Sequence, residues 1–312
     1  MRILLALGGN AMTSPTGGAR PEDQIAAATT AMEAVAALIA EGLEVVITHG
    51  NGPQVGNLLV KNELAAHVVP PVPLDWCGAQ TQGTLGNILM NALDGSLAAR
   101  GLTHPTAALI TRTLVDADDP AFASPSKPVG RYLSADEAKV MIEHGENWED
   151  RGARGWRRMV ASPEPREVLE SSAVVALVES GFVVIANGGG GIPTVRRADG
   201  TLDGLEAVID KDLGAALLAE SVEVDLLVIA TDVAHAILDF GTPQARPIGQ
   251  VTLDEMRAYA AAGHFAGGSM GPKVDAVCRF VERSGRRGVI TDLNTIVAAA
   301  SGRAGTIVVP NH

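Results

Sequence analysis

The sequence predicts an α/β protein in which helices cover both faces of a mostly parallel sheet. Short runs of Val, Ile and Leu alternate with longer stretches of helical periodicity, and most of the short runs end in glycines. With 46% hydrophobic but only 3% aromatic residues, the core must consist mainly of Ala, Val, Leu and Ile. At 312 residues the chain could form one large or two smaller domains. Ligands of such a fold are expected at the carboxyl ends of the strands.

Strands and helices alternate along the whole chain. The predicted strands are short buried runs, over 2–7, 43–48, 106–111, 182–186, 225–230, 288–291 and 306–309. The predicted helices carry apolar residues at helical spacing, over 22–41, 53–67, 76–100, 165–180 and 252–262, with two more that end near 221 and 283.

Local signals support several of these boundaries. Pro53 suits the first position of its helix, where a missing N–H costs nothing. Asp199-Gly200 is predicted to be the turn of a hairpin over 194–208. Thr252 and Glu255 have the spacing of a capping box.

Four consecutive glycines, Gly188 to Gly191, follow the predicted strand over 182–186. Packing does not explain them, since each glycine costs backbone entropy on folding. They suit a loop whose N–H groups closely approach an oxyanion. The alternative is a flexible linker, which the preceding strand and the following Ile192-Pro193 argue against.

A second glycine loop, Gly50-Asn51-Gly52, resembles at first part of a dinucleotide fingerprint. That pattern requires a glycine at Val55, but the third glycine comes one residue later, at Gly56. We therefore predict an anion site at a helix N-terminus rather than a nicotinamide-binding domain.

The stretch 114–163 interrupts the alternation of strands and helices. It holds four prolines and a large share of the few aromatic residues, so we predict a small excursion from the sheet that could act as a lid. Its end carries a cluster of arginines: Arg151, Arg154, Arg157 and Arg158. Acidic residues outnumber basic ones across the excursion, so a solvated face is the default interpretation, with an anion-facing role for some arginines as the alternative.

Charge and cysteine content narrow the class of protein. The net charge of −12 argues against nucleic acid as the main partner, and local positive charge must meet any anionic substrate. Cys77 and Cys278 lie far apart with no metal-ligand spacing, which favours a reducing compartment. The N-terminal apolar run is too short for a signal peptide, and no run approaches the ~20 residues of a membrane span. We therefore expect a cytoplasmic protein.

Lysine is rare in this chain. The 24 basic residues include only Lys61, Lys127, Lys139, Lys211 and Lys273. Where arginine is used so widely, a remaining lysine indicates a need for a compact point charge. Lys127 lies between two prolines, and Lys211 and Lys273 lie at helix starts, where a cation opposes the helix dipole unless an anion is bound. A phosphate role is predicted for these three, with a surface salt bridge as the alternative for each.

Phosphoryl transfer is the chemistry that fits these features. The P-loop pattern and the protein-kinase motifs are absent. Phosphoryl transfer depends on positioning and charge neutralisation, which lysines, backbone N–H groups and Mg²⁺ can supply. An acceptor that is already an anion needs no general base, and the sequence offers no obvious one.

Motifs spread over nearly the whole chain resemble the carbamate kinases of the amino-acid kinase family. They are Ala6-Leu7-Gly8-Gly9-Asn10-Ala11, His49-Gly50-Asn51-Gly52-Pro53-Gln54-Val55-Gly56, Thr81-Gln82-Gly83, Lys127-Pro128-Val129-Gly130, Gly155-Trp156-Arg157-Arg158, Gly188 to Pro193, Ala207-Val208-Ile209-Asp210-Lys211-Asp212, and Gly263-His264-Phe265-Ala266 with Gly268-Ser269-Met270.

The resemblance implies an open αβα sandwich around an eight-stranded sheet, with the excursion as a small protruding subdomain, and a homodimer. It implies the reaction ATP + carbamate ⇌ ADP + carbamoyl phosphate, often run toward ATP when arginine is fermented. Residues 1–180 would bind carbamate or the carbamoyl group, and residues 181–312 the nucleotide. Mg²⁺ would arrive with ATP or ADP, and the resemblance implies no metal-ligating residue.

Carried over by position, the resemblance implies a role for each motif residue. Lys127 would reach the transferring group, Lys211 and Lys273 would stabilise the phosphoryl group, and Asp210 would orient the lysines. The implied substrate-binding residues are Gly8, Gly9, Asn10, Gly50, Asn51, Gly52, Gly189 and Gly190. The implied nucleotide-binding residues are Lys211, Thr231, Asp232, Val233, Ala266, Ser269, Met270 and Lys273.

Four residues on the implied nucleotide side depart from the family's pattern: Ala234, His235, Gly267 and Gly271. They bear on nucleotide affinity and loop rigidity rather than on the three lysines. Two alternatives therefore stay open, another amino-acid kinase acting on a carboxylate such as acetylglutamate, and a non-catalytic nucleotide or anion sensor.

Overall fold

A computed structural model describes residues 1–8, 20–265 and 269–311. Within that part of the chain the strands are β1 Arg2–Leu7, β2 Glu44–His49, β3 Thr106–Ala108, β4 Arg112–Leu114, β5 Lys127–Leu133, β6 Trp148–Asp150, β7 Trp156–Val160, β8 Glu167–Val168, β9 Val183–Ile185, β10 Ile192–Arg196, β11 Leu202–Gly204, β12 Leu226–Thr231, β13 Ile237–Leu238, β14 Arg246–Pro247, β15 Gln250–Thr252, β16 Arg287–Asp292 and β17 Thr306–Val309. The helices are α1 Pro21–Ala40, α2 Gly52–Ala65, α3 Leu74–Ala98, α4 Ala135–Glu143, α5 Ser171–Glu179, α6 Lys211–Ser221, α7 Leu253–Ala261, α8 Met270–Ser284 and α9 Ile296–Ala300.

The predicted eight-stranded sheet is confirmed, and it is mostly parallel. Its strand order is β15-β17-β16-β12-β1-β2-β9-β3. The six strands from β16 to β3 are parallel, whereas β17 pairs antiparallel with β16 and parallel with β15. β9 lies between β2 and β3, so the sheet is continuous across the predicted boundary at 180/181, and the division of roles between the two parts stays a prediction.

Helices cover both faces of this sheet, which confirms the three-layer fold. Successive side chains of a strand point to opposite faces, and β1 shows the result. Its residues Ile3, Leu5 and Leu7 pack in a core with α1, α3 and α9, whereas Leu4 and Ala6 pack in a second core with α5, α6, α7 and α8. A sheet buried on both faces explains why its strands are continuous apolar runs in the sequence.

The predicted excursion is confirmed as a small unit outside the main sheet, and it contains a sheet of its own. Its antiparallel order is β5-β7-β6, and α4 packs on it through a core of Leu133, Ala138 and Trp148. A further sheet, β11-β10-β4-β8, joins the excursion to the body. The hairpin of β10 and β11 has the predicted Asp199-Gly200 turn.

Two predicted elements were wrong in part. The predicted helix over 165–180 begins only at Ser171, because residues 167 and 168 form β8 and pair with β4. The predicted strand over 106–111 stops at Ala108 and resumes as β4 in the other sheet. In both cases long-range pairing overrides the local pattern. None of the described helices is long and apolar enough to span a membrane.

Candidate active site

One cavity of about 780 Å³ opens where the parallel strands end. It collects most of the residues that the sequence marked for catalysis and substrate binding: Lys127, Asp210, Lys211, Lys273, Gly50, Asn51, Gly52 and Gly189. Ser269, predicted to bind nucleotide, also lines it. Gly8, Gly190, Thr231, Asp232, Val233 and Met270 do not line it. Gly9, Asn10, Ala266 and Gly267 lie outside the described residues.

Two aspartates hold the three lysines in this cavity. The Nζ of Lys127 lies 2.7 Å from Oδ2 of Asp210. The two carboxylate oxygens of Asp212 bind one lysine each, with Nζ of Lys211 at 2.5 Å and Nζ of Lys273 at 3.3 Å. Lys273 also donates to the Ser269 carbonyl oxygen at 3.1 Å. The cavity therefore contains a compact array of three ammonium groups and two carboxylates.

The family resemblance implies that Asp210 alone orients the three lysines, but the structure shows two aspartates in contact with them. Asp210 contacts Lys127, whereas Asp212 holds Lys211 and Lys273. The sequence prediction included Asp212 only as the last residue of the motif Ala207-Val208-Ile209-Asp210-Lys211-Asp212, with no catalytic or binding role of its own. The alternation Asp-Lys-Asp at a helix start is the sequence signal that could have predicted the role of Asp212, because a buried lysine needs a nearby negative charge.

Asp210 is also the N-cap of α6. Its Oδ1 accepts hydrogen bonds from the N–H groups of Asp212 at 3.0 Å and Leu213 at 3.3 Å, which leaves Oδ2 for Lys127. Burial by itself raises the pKa of Asp210, but the Lys127 ammonium and the two N–H groups together outweigh it, so the pKa lies below its ordinary value. Asp210 is therefore ionised at neutral pH and fixes Lys127 at the start of α6.

The glycine run forms a tight turn beside these groups. Gly189, Gly190 and Gly191 have φ angles of 69°, 90° and 92°, a region that favours glycine. A Cβ at Gly189 would overlap the Asn51 side chain, and one at Gly191 would overlap Thr113. The prediction that packing does not explain these glycines was therefore wrong, because both conformation and close packing require them here. Only Gly189 and Gly191 of the run line the cavity.

Asn187 anchors that turn, and the sequence interpretation did not single it out. It is fully buried in a left-handed conformation, with φ 55°. Its N–H donates to Thr111 Oγ1 at 2.6 Å, and its Nδ2 donates to the Gly214 carbonyl oxygen at 3.0 Å. Thr113 Oγ1 donates to its Oδ1 at 3.1 Å. Asn187 thus ties the glycine turn to α6, the helix that carries Lys211 and Asp212.

His49 lies at the end of β2 and does not serve as a cation. Burial lowers the pKa of its imidazole to about 4, although the hydrogen bond to the Gly50 carbonyl oxygen raises it. Nδ1 lies 3.1 Å from that oxygen. The neutral ring packs against Gly188, where a Cβ would come within 2.5 Å of it.

Three residues predicted to bind nucleotide, Lys211, Lys273 and Ser269, line the cavity, whereas Thr231, Asp232, Val233 and Met270 lie outside it. Thr231 ends β12 and contacts Asp232 Oδ1 through its hydroxyl at 3.0 Å. Of the residues that depart from the family's pattern, His235 places Nδ1 3.2 Å from the Ile248 carbonyl oxygen. A Cβ at Gly271 would lie 2.9 Å from the Phe265 carbonyl oxygen, so close packing favours glycine at that position.

The fold and the array of lysines define a class of kinase, and comparison with known proteins agrees. The model of the "Amino acid kinase family" matches residues 1–292. The chain belongs to the amino acid kinase family.

Within that family it groups with the carbamate kinases. It is 46% identical over 314 residues to the carbamate kinase of Thermococcus kodakarensis, an alignment that covers 99% of each protein. The solved structure of carbamate kinase from Giardia lamblia bound to AMP-PNP is 38% identical, covers 99% of this chain and 98% of that one, and superposes with a TM-score of 0.95. A second structure of the Giardia enzyme, thiocarbamoylated by disulfiram on a cysteine, superposes with a TM-score of 0.94, at 38% identity and with 99% of each chain covered.

Proposed function

We propose that this protein transfers a phosphoryl group reversibly between ATP and carbamate, forming ADP and carbamoyl phosphate. The observation that carries the proposal is the array of Lys127, Lys211 and Lys273 on two aspartates inside one cavity. Each aspartate is fixed within α6 or at its start, so the ammonium groups are positioned before a substrate arrives. Preorganised charge of this kind stabilises the negative charge that spreads over a transferring phosphoryl group.

In this proposal the three lysines divide the work by position. Lys211 and Lys273 share Asp212 and neutralise the phosphoryl group as it is transferred. Lys127, which is paired with Asp210 and belongs to the excursion, also contacts the transferring group. The carbamate oxygen is already an anion, so it attacks phosphorus without a general base. The His49 imidazole beside the glycine turn is a weak proton acceptor, because burial lowers its pKa to about 4, and this agrees with a site that needs no base.

The glycine turns supply the second part of the proposed site. Gly50, Asn51, Gly52 and Gly189 line the same cavity as the lysines. Gly52 begins α2, and the N–H groups at a helix start favour an anion. We assign these residues to carbamate or the carbamoyl group, and we assign Thr231, Asp232, Val233 and Met270 to the nucleotide.

Mg²⁺ belongs to the proposal as an ion that enters with the nucleotide phosphates. Among the residues that the structure describes, no three His, Cys, Asp or Glu side chains form a group that could hold a metal. Mg²⁺ commonly binds through phosphates, waters and one or two carboxylates, so the nucleotide can supply most of its ligands. The cytoplasmic location stays a prediction from the sequence composition, and the homodimer stays a prediction from the family resemblance.

The test is a coupled assay that detects ATP formed from ADP and carbamoyl phosphate in the presence of Mg²⁺. Parallel assays with ATP offer carbamate, acetylglutamate and glutamate as acceptors. We expect ATP formation from carbamoyl phosphate and, in the other direction, turnover with carbamate alone. Turnover with acetylglutamate instead would contradict the proposed substrate, and ADP binding with no turnover in any assay would indicate a sensor.

A further inference from the structure

The arginines at the end of the excursion are not equivalent in the structure. Arg157 lines the cavity, whereas Arg151, Arg154 and Arg158 do not. Arg158 faces a different pocket and pairs with Glu146 and Glu206 at 3.4 and 3.1 Å. The sequence left two interpretations open for this cluster, a solvated face and an anion-facing role. For Arg157, the charges of the residues that line the cavity favour the anion-facing role.

Every other cation on the cavity wall has a carboxylate partner. Lys127, Lys211 and Lys273 are held by Asp210 and Asp212, as described above, and Arg131 donates to Glu63 at 2.7 Å. Within the described part of the chain, Arg157 has no carboxylate within ion-pair distance. It is therefore the positive side chain of this wall whose charge is not offset by a neighbour.

Neutral groups hold the Arg157 side chain in place. Its Nε donates to the Val129 carbonyl oxygen at 3.0 Å, and its Cζ lies 4.7 Å from the centre of the Tyr132 ring. Both supports belong to β5, the strand that also carries Lys127. Glu149 is the residue opposite Arg157 on β6, but its carboxylate binds Arg151 at 2.8 Å. The guanidinium is thus oriented without being neutralised.

We propose that Arg157 is a substrate-binding residue that the excursion contributes for the non-nucleotide oxyanion, which is carbamoyl phosphate in the proposed reaction. A half-buried guanidinium held by a carbonyl and an aromatic face keeps N–H donors for an oxyanion and offers them as a planar fork. Arg157 lies on the same small sheet as Lys127, whereas Thr231, Asp232 and Val233, three of the residues predicted to bind nucleotide, lie outside this cavity. The proposal rests on the proposed function for the identity of the substrate, but not for the binding of an oxyanion.

The kinetic test compares Arg157→Ala and Arg157→Lys with the wild type, using the full chain. We expect Arg157→Ala to raise KM for carbamoyl phosphate about 10- to 100-fold, the loss of a charge-assisted hydrogen bond, with KM for ADP within about two-fold. Arg157→Lys should recover part of the loss, because it keeps the charge but not the fork. The unchanged KM for ADP shows that the variant is folded.

Lys139→Ala is the matched control, since Lys139 is an exposed cation on α4 of the same excursion and lies outside the cavity. It removes the same charge and should leave both KM values unchanged. An equal rise in KM for ADP and carbamoyl phosphate, no rise in either, or the same rise in Lys139→Ala would overturn the proposal.

A binding measurement separates this proposal from the proposed function. Inorganic phosphate is the probe, titrated calorimetrically into the wild type, Arg157→Ala and Lys139→Ala. Weaker phosphate binding in Arg157→Ala alone supports the role of Arg157 in binding an oxyanion, whether or not the wild type makes ATP. If the wild type makes no ATP from carbamoyl phosphate, that result contradicts the proposed function only. Equal phosphate binding by all three proteins, with normal turnover, contradicts the subsite only.

Discussion

The Nζ of Lys273 lies 3.3 Å from Oδ2 of Asp212, and both side chains are more than nine-tenths buried. Lys273 is on α8 and Asp212 is on α6, so this ion pair links two helices under the same face of the sheet. Asp212 also holds Lys211, which makes one carboxylate responsible for two of the three lysines.

The first prediction is that Asp212→Asn lowers kcat by about two orders of magnitude, because both lysines lose the anion that orients them. It should also cost about 3 kcal/mol of unfolding free energy, since the Lys273 ammonium stays buried without a charged partner. Turnover and urea unfolding measure the two effects. Glu179→Gln, at the exposed end of α5, is the control and should change neither. Near-normal kcat in Asp212→Asn would contradict the role of the shared carboxylate.

The second prediction concerns the lysines themselves. Lys211→Ala and Lys273→Ala should each lower kcat by about two orders of magnitude or more, because in the proposed reaction each lysine supplies a charge that neutralises the transferring group. Lys61→Ala is the control, since Lys61 is exposed on α2 and outside the cavity. Circular dichroism checks that each variant is folded. If either active-site variant keeps near-normal turnover, the assignment of the lysines is wrong.

Strong local signals made the sheet and most helices predictable. The buried runs of β1, β2, β12 and β16 are continuous because helices cover both faces of the sheet, and that pattern identifies a parallel strand without its neighbours. The two-residue strand β8 shows the limit. It exists only because β4 lies beside it, and no local property of Glu167 and Val168 indicates that pairing.

The position of the candidate site was also predictable from local signals. Rare lysines at helix starts and glycines after strands indicated the residues that line the cavity, because each of these patterns has a local cause. The roles of Asp212 and Asn187 depend on partners far away in the chain, at Lys273, Thr111 and Gly214. Such partners become visible only when the fold brings them together.

The third prediction compares two glycines with similar backbone angles. Gly189 has φ 69° and faces the Asn51 side chain, whereas Gly200 has φ 86° and nothing within 4 Å of the point where a Cβ would lie. Gly200→Ala should cost only the left-handed backbone strain, about 1–2 kcal/mol of unfolding free energy. Gly189→Ala should cost more and also lower kcat, because Asn51 must move within the cavity. Equal costs and equal activities in the two variants would show that the contact with Asn51 does not constrain the turn.

The fourth prediction is that the native protein resists thiol-reactive compounds. Cys77 and Cys278 are free and buried, with 0% and 4% exposure. Burial raises the pKa of both thiols, that of Cys278 to about 11, so the reactive thiolate is scarce at neutral pH. A colorimetric thiol reagent should label neither cysteine in the native protein and both in denaturant, and disulfiram should leave turnover unchanged. Rapid labelling of the folded protein would contradict this prediction.

The fifth prediction is a pH dependence of stability that His49 causes. The pKa of its imidazole falls from an ordinary 6.5 to about 4 in the folded protein, because burial disfavours the charged ring. Unfolded chains therefore bind more protons than folded ones between these values, and the free energy of unfolding falls as the pH falls through that window. Between pH 7.5 and pH 5.0 the wild type should lose about 2 kcal/mol more unfolding free energy than His49→Gln does, measured in urea.

His67→Gln is the control for this experiment, because His67 is exposed in the turn that follows α2. It should keep the wild-type dependence on pH, since it leaves the buried His49 unchanged. The same loss of stability in the wild type and in His49→Gln would mean that His49 is protonated as easily in the folded protein as in the unfolded chain. In that case the ring beside Gly188 would be accessible to water, and the closed packing of the glycine turn around it would be wrong.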